Sequence, residues 1–401
     1  MRQFILDNGM KVCLEKMPTK SVAVELCVKT GSVNEKKGLS GISHFIEHML
    51  FNGTKKRPDA KLISNEIEKL GGDFNAATSH ERTVYYVKVP GKYLHVALDV
   101  LSDMLINPLF DEAALEKEKK IIIDEIKMIN DQPRFFQWVL FQQSLFKKHP
   151  ARNPIYGSVE DVKKTTRDDM MGYYRRFYSA PNISLFVVGD INSKTPGMVR
   201  SYFGQMKNAH IVSKRRFSEP KQTKKLTRRL VRNPLQSYMV LGYKTPPRGH
   251  IDSYALDIAR AVLGKGQSGR IFDSIRTEMG LAYDLGVVHN PSVDFGFFAV
   301  YVSTAKENQK KVKAEILRQL RQLEDISEKE LSEAKQYIEG EFILMSEDTQ
   351  KRAELMSYWD SNADADDIKT YIKKIRSVTK RQLISTAKRW LDENYTLTVI
   401  E

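Results

Sequence analysis

Apolar residues recur along this chain with two periods. Alternation, or a short apolar run, marks strands at residues 11–16, 21–30, 82–89, 183–188, 297–302 and 395–400. Helical spacing marks residues 42–52, 111–129, 253–263 and 327–342. Each half of the chain runs strands first, then long helices, then a last strand. Strands grouped apart from helices predict an α+β fold of mostly antiparallel sheets with helices packed on them. If residues 11–16 and 21–30 pair, they do so as a hairpin around Met17–Lys20.

The two halves look like copies of one plan. Lys29-Thr30 follows a strand in the first half, and Lys244-Thr245 follows one in the second. Gly71-Gly-Asp-Phe74 opens a strand region, as does Gly280-Leu-Ala-Tyr283, and the helical run 111–126 returns as 327–342. Three features repeated at a nearly constant spacing indicate duplication. The polar stretch around Ser213-Lys-Arg-Arg216 has no periodicity and reads as a linker. The expected organisation is therefore a domain over 1–207, a linker over 208–225 and a related domain over 226–401.

Composition narrows the class. A length of 401 residues suits two domains, and 41% hydrophobic with 28% charged residues is globular. No run approaches the ~20 apolar residues of a membrane helix, and the first residues lack a basic-then-apolar export pattern, so no membrane partner is expected. The two cysteines, Cys13 and Cys27, sit in strand-like runs without metal spacing. They read as buried hydrophobes of a reducing compartment, the cytoplasm. A net charge of +14 admits a nucleic-acid patch or a lysine-rich surface. The lysines are scattered and interleaved with glutamate, and no nucleic-acid motif is present, which favours the surface.

Chemistry concentrates in the helix at 42–52. At about 100° per residue, Ile42, Ile46, Met49 and Leu50 share one face, while His44, Glu47 and His48 share the other. Two imidazoles at i and i+4 can grip one tetrahedral metal, and a carboxylate between them can take a proton from water. A third ligand is still needed. In the helix 114–129 the apolar stripe is Ala114, Leu115, Ile121, Ile122, Ile126 and Ile129, and Glu118 and Glu125 fall inside it. A buried carboxylate is costly unless paired or bound to metal, so these two are either salt-bridged or metal-linked.

These residues resemble the inverted-zincin peptidases of the pitrilysin, insulysin and mitochondrial processing peptidase family. That family's pattern is HxxEH, 76 residues, then Glu; here His44-Phe-Ile-Glu-His48 precedes Glu125 with the same spacing. The resemblance implies one zinc per chain held by His44, His48 and Glu125, with Glu47 as general base and Glu118 as the further acidic residue near the metal. It implies a substrate strand around Asn75, Ala76 and Ala77, and substrate-binding Arg276 and Tyr283 in Arg270-Ile-Phe-Asp-Ser-Ile-Arg276-Thr-Glu-Met-Gly-Leu-Ala-Tyr283. The second half has no HxxEH, as in the family's inactive domain. Two such domains form half of a clamshell. The resemblance therefore implies a metalloendopeptidase of unfolded peptides acting as a homodimer, with Arg276 and Tyr283 serving the partner's zinc. The alternative is a catalytically inactive family member serving as a scaffold.

Overall fold

The computed structural model describes residues 1–208, 216–362 and 364–401. The first sheet contains β1 (Arg2–Ile5), β2 (Lys11–Lys16), β3 (Ser21–Val28), β4 (Asp73–Thr78), β5 (Thr83–Pro90) and β6 (Ile183–Gly189), in the order β1-β2-β6-β3-β5-β4. Its neighbours are antiparallel except β2 and β6. The hairpin of residues 11–16 with 21–30 is not formed, because β6 lies between β2 and β3. All seven residues of β6 are buried, and such a strand needs a neighbour on either side and a cover on both faces.

The helices that matter for the site are α1 (Ile42–Leu50), α2 (Glu112–Asp131), α3 (Pro133–Leu145), α4 (Asp252–Gly264), α5 (Glu328–Glu347) and α6 (Thr349–Asn362). The second sheet contains β7 (Leu226–Leu230), β8 (Ser237–Lys244), β9 (Ala282–Pro291), β10 (Gly296–Thr304) and β11 (Thr396–Ile400), in the order β7-β11-β8-β10-β9. Replacing each strand by its counterpart reproduces the order β2-β6-β3-β5-β4 of the first sheet. Even the single parallel pair, β7 with β11, falls in the matching place. The fold is thus α+β with two similar, mostly antiparallel halves.

The chain forms two compact units, and neither is one continuous stretch. One contains Met1–Lys127, Pro154–Arg215 and Met345–Ala365; the other contains Met128–Asn153, Arg216–Leu344 and Asp366–Glu401. This departs from contiguous domains at 1–207 and 226–401, because each half lends a helix to the other's sheet. In the first unit α6, from the second half, lies on β3 and β6. Lys11 and Ser184 reach Asp360 at 2.6 Å each, and Arg352 reaches Glu15 at 2.8 Å. In the second unit α3, from the first half, lies on β8 and β11. The contact there is aromatic: Phe141 meets Phe297 at 5.7 Å and Trp138 meets Tyr301 at 5.6 Å between ring centroids. Gly242 is required beneath it, since a Cβ there would lie 2.6 Å from the Phe141 ring. Within the expected linker, residues 209–215 lie outside the described residues, and 216–225 contain no helix or strand.

The two cysteines are buried and form no disulfide. Among the described residues no helix is long and apolar enough to cross a membrane.

Candidate metal centre

Helix α1 buries Ile42, Phe45, Ile46, Met49 and Leu50 in the first unit's core. This turns His44, Glu47 and His48 away from the core. Helix α2 buries Leu115, Glu118, Ile122 and Ile126 as one row. Ile121, expected in that stripe, is exposed instead. Glu125 is part exposed and belongs to the row's margin, which lets its carboxylate meet the imidazoles.

One ligand atom from each of His44, His48 and Glu125 lies within 4.8 Å of the others. Glu125 Oε2 is 3.8 Å from both His44 Nε2 and His48 Nε2. Two donors about 2.1 Å from one tetrahedral ion lie roughly 3.4 Å apart, so each carboxylate–imidazole pair is within a few tenths of an ångström of the spacing a filled site requires. The donor set of two imidazole nitrogens and one carboxylate oxygen fits zinc.

Charges in the site suit a cation. Burial, followed by the neighbouring His48, pushes His44 down to about 4, so its imidazole is neutral. Burial acts to lower His48 too, but the hydrogen bond and charge of Glu118, with Glu47 and Glu125 beyond, hold it above the usual value. His48 Nδ1–H donates to Glu118 Oε2 at 3.0 Å, which in the neutral ring leaves the Nε2 lone pair on the side of Glu125. Glu118 stays below the usual carboxylate range: burial opposes this, and the His48 and Asn52 hydrogen bonds outweigh it. Glu118 thus orients a ligand rather than acting as one. Burial raises Glu47, and Thr78, whose hydroxyl donates to Glu47 Oε2, only partly offsets it.

Several supporting residues carry no sequence signal. Glu35 holds the start of α1, its carboxylate accepting from the N–H groups of Gly41 (2.8 Å) and Ser43 (3.0 Å). It occupies the place a capping side chain would take, but from a loop beyond the reach of a capping-box pattern. Tyr173 joins the Ser43 and Thr30 hydroxyls at 2.8 Å each. Thr78 was detectable only as the last inward position of β4, whose burial alternates.

The remaining candidates divide between the units. Asn75, Ala76 and Ala77 lie on β4, which among the described residues pairs only with β5 and so is the sheet's edge. Asn75 and Ala77 point outward, and Ala76 packs on the core. Arg276 and Tyr283 belong to the second unit and lie together. The guanidinium is 4.6 Å from the Tyr283 ring centroid, and Nη1 donates to Tyr283 O at 3.3 Å. They meet because the helical turn ends before Gly280, whose φ of +63° reverses the chain.

Comparison with known proteins bears on the family and the fold. Residues 11–158 match the sequence family described as insulinase (peptidase family M16). Residues 164–338 match the one described as peptidase M16 inactive domain. The chain is 31% identical over 412 residues to the uncharacterized zinc protease YmxG of Bacillus subtilis, covering 100% of this chain and 98% of that protein. It is 30% identical over 403 residues to an uncharacterized zinc protease of Rickettsia bellii, covering 98% and 96%. A protease from Helicobacter pylori of known crystal structure shares the fold, with a TM-score of 0.94, 24% identity, and coverage of 100% of this chain and 99% of that one.

Proposed function

The chain belongs to the insulinase family of peptidases, family M16, and from that premise we propose that it is a zinc metalloendopeptidase of unfolded or extended peptides. The observation that carries the proposal is the convergence of His44, His48 and Glu125 within 4.8 Å, next to a Glu47 that is not part of that set. When bound, zinc supplies a Lewis acid that polarises a peptide carbonyl and acidifies water. His44 and His48 would hold it through ring nitrogens, and Glu125 through a carboxylate oxygen. Glu47 takes the proton of the attacking water and passes it to the leaving amine. Burial raises its basicity towards the range a general base needs.

Substrate form follows from β4. An edge strand can accept an extended peptide by backbone hydrogen bonds, and Asn75, Ala76 and Ala77 lie along that edge. Thr78, on the same strand, bonds Glu47. A peptide aligned on β4 is thereby aligned on the base. An enclosed chamber would admit an unfolded chain to that strand and exclude a folded protein. We infer also that the enzyme is a homodimer enclosing a chamber, in which Arg276 and Tyr283 act on substrate held at the partner's zinc. The two buried cysteines, which form no disulfide, fit the cytoplasm. A catalytically inactive scaffold is disfavoured because all four motif side chains are present.

Activity is tested with an unfolded protein and a stably folded, loop-poor one, each with and without a zinc chelator. Chelator-sensitive cleavage of the unfolded substrate alone is expected; rapid cleavage of the folded one contradicts the proposal. The dimer is tested by mixing Glu47→Gln and Tyr283→Phe subunits, each weak alone. Partial recovery of activity is expected, and no recovery despite subunit exchange contradicts contribution across the dimer.

A further inference from the structure

The helix that carries the metal residues begins later than its counterpart. The halves repeat at a step of 216 residues, as α2 and α5 show at both ends. That step carries Ile42, the first residue of α1, onto Ile258, which lies well inside α4. The metal helix is therefore cut short at its amino-terminal end, and His44 is its third residue. A helix amino terminus carries roughly half a positive charge and N–H groups without helical partners. Such an end disfavours a cation beside it, a cost that the second half avoids by its longer helix.

Glu35 answers that cost. The cap residue of α1 is Gly41, at a φ of +91°, and no cap side chain accepts the first N–H groups. One carboxylate spans them instead: Gly41 N–H donates to Glu35 Oε2 at 2.8 Å, and Ser43 N–H to Oε1 at 3.0 Å. Ser43 is the residue before His44. Glu35 has no lysine, arginine or histidine partner among the described residues, so its charge is directed at the helix end alone. The step of 216 carries Glu35 onto Ile251, which is exposed and apolar. The acid is thus present in the half with metal-type side chains and missing from the other.

We propose that Glu35 is a positioning residue of the metal centre: its carboxylate offsets the positive end of α1 and fixes the Gly41 and Ser43 N–H groups, so that a dication is tolerated at His44. The proposal rests on the zinc site proposed above. Burial pushes the Glu35 carboxyl up to about 7; the Gly41 and Ser43 bonds oppose this, and the charge of Asp161, which accepts from Ser40 N–H at 3.2 Å, adds to it. Tyr173, whose hydroxyl is 2.8 Å from Ser43 Oγ, is the other titratable group facing it. The offsetting charge is therefore present above about pH 7 and is lost as pH falls through that value.

The test titrates metal-free wild-type, Glu35→Gln and Glu35→Asp chains with zinc against a chelator of known affinity, from pH 8.5 to 5.5. At pH 8.5 Glu35→Gln should bind zinc about tenfold more weakly than wild type, and Glu35→Asp, which keeps the charge, should recover most of the loss. The wild-type advantage over Glu35→Gln should fall towards one at pH 5.5, where the wild-type carboxyl is also neutral. Proton competition at His44, His48 and Glu125 is common to the chains and cancels in this ratio. Equal affinities at pH 8.5, or an advantage that does not change with pH, overturn the role of Glu35 and leave the zinc site standing. So does a Glu35→Gln chain that no longer folds without metal, by showing that the residue serves the fold. Failure of the wild-type chain itself to bind zinc overturns both proposals.

Discussion

The two halves of this chain build the same helix pair and put different chemistry on it. Helices α2 and α5 each have 20 residues, and their ends are separated by the same step of 216. That step carries Glu125 onto Glu341 and His44 onto Arg260. In the first half the matching His44 and Glu125 belong, with His48, to a group within 4.8 Å that could hold a metal ion. In the second half Arg260 Nη2 meets Glu341 Oε2 at 2.6 Å, and Tyr337 donates to Glu341 Oε1 at 2.7 Å. The same step carries Glu47 onto Leu263, His48 onto Gly264 and Glu118 onto Ala334. A guanidinium offers no lone pair to a cation and already supplies the positive charge the carboxylate requires. The scaffold therefore keeps one acidic residue in both halves, and on the function proposed above the side chain facing it decides whether the pocket can hold a metal or closes as an ion pair. Function resides in these few side chains and not in the fold they share.

That contrast can be broken by swapping its key residue. His44→Arg should turn the first site into a copy of the second, with the introduced guanidinium paired to Glu125. Tightly bound zinc and peptide cleavage should both vanish while circular dichroism and thermal stability stay near wild type. Retention of one zinc per chain would show that His44 is not a ligand. A more selective change removes only the base. Glu47→Gln should keep zinc and lower kcat on a quenched peptide by about a thousandfold; near-normal turnover would exclude Glu47 from proton transfer. The smallest effect is expected in the second half. Arg260→Met leaves a part-exposed Glu341 without its ion pair and should lower stability by about 1 kcal/mol in denaturant titration, without altering zinc content or kcat. A collapse of activity would mean that the second half does more than support the fold.

Much of the site was legible because it is local. Two histidines and a glutamate on one helix face are fixed by the 3.6-residue period, and the apolar partners of that helix fix its orientation. Glu118 and Glu125 stood out as carboxylates in an apolar row. The support for these residues was not legible, since Glu35 and Thr78 reach the site from a loop and a strand end with no pattern linking them to it. Strand segments were readable from alternation, yet the hairpin of residues 11–16 with 21–30 failed. Pairing depends on where the fully buried β6, which is remote in sequence, inserts. The exchange of α3 and α6 was hidden for a similar reason. The aromatic face of α3 and the polar face of α6 each show that a partner is required, but the matching surface lies in the other half of the sequence.

The central claim, that the first half holds a catalytic zinc and the second half does not, is tested most directly by anomalous diffraction at the zinc absorption edge from crystals of the Glu47→Gln chain. The account predicts one peak per chain, within about 2.2 Å of His44 Nε2, His48 Nε2 and a Glu125 oxygen, and none between Arg260 and Glu341. A chain with full access to zinc that shows no peak there, or shows it at the second-half pair, would contradict the account.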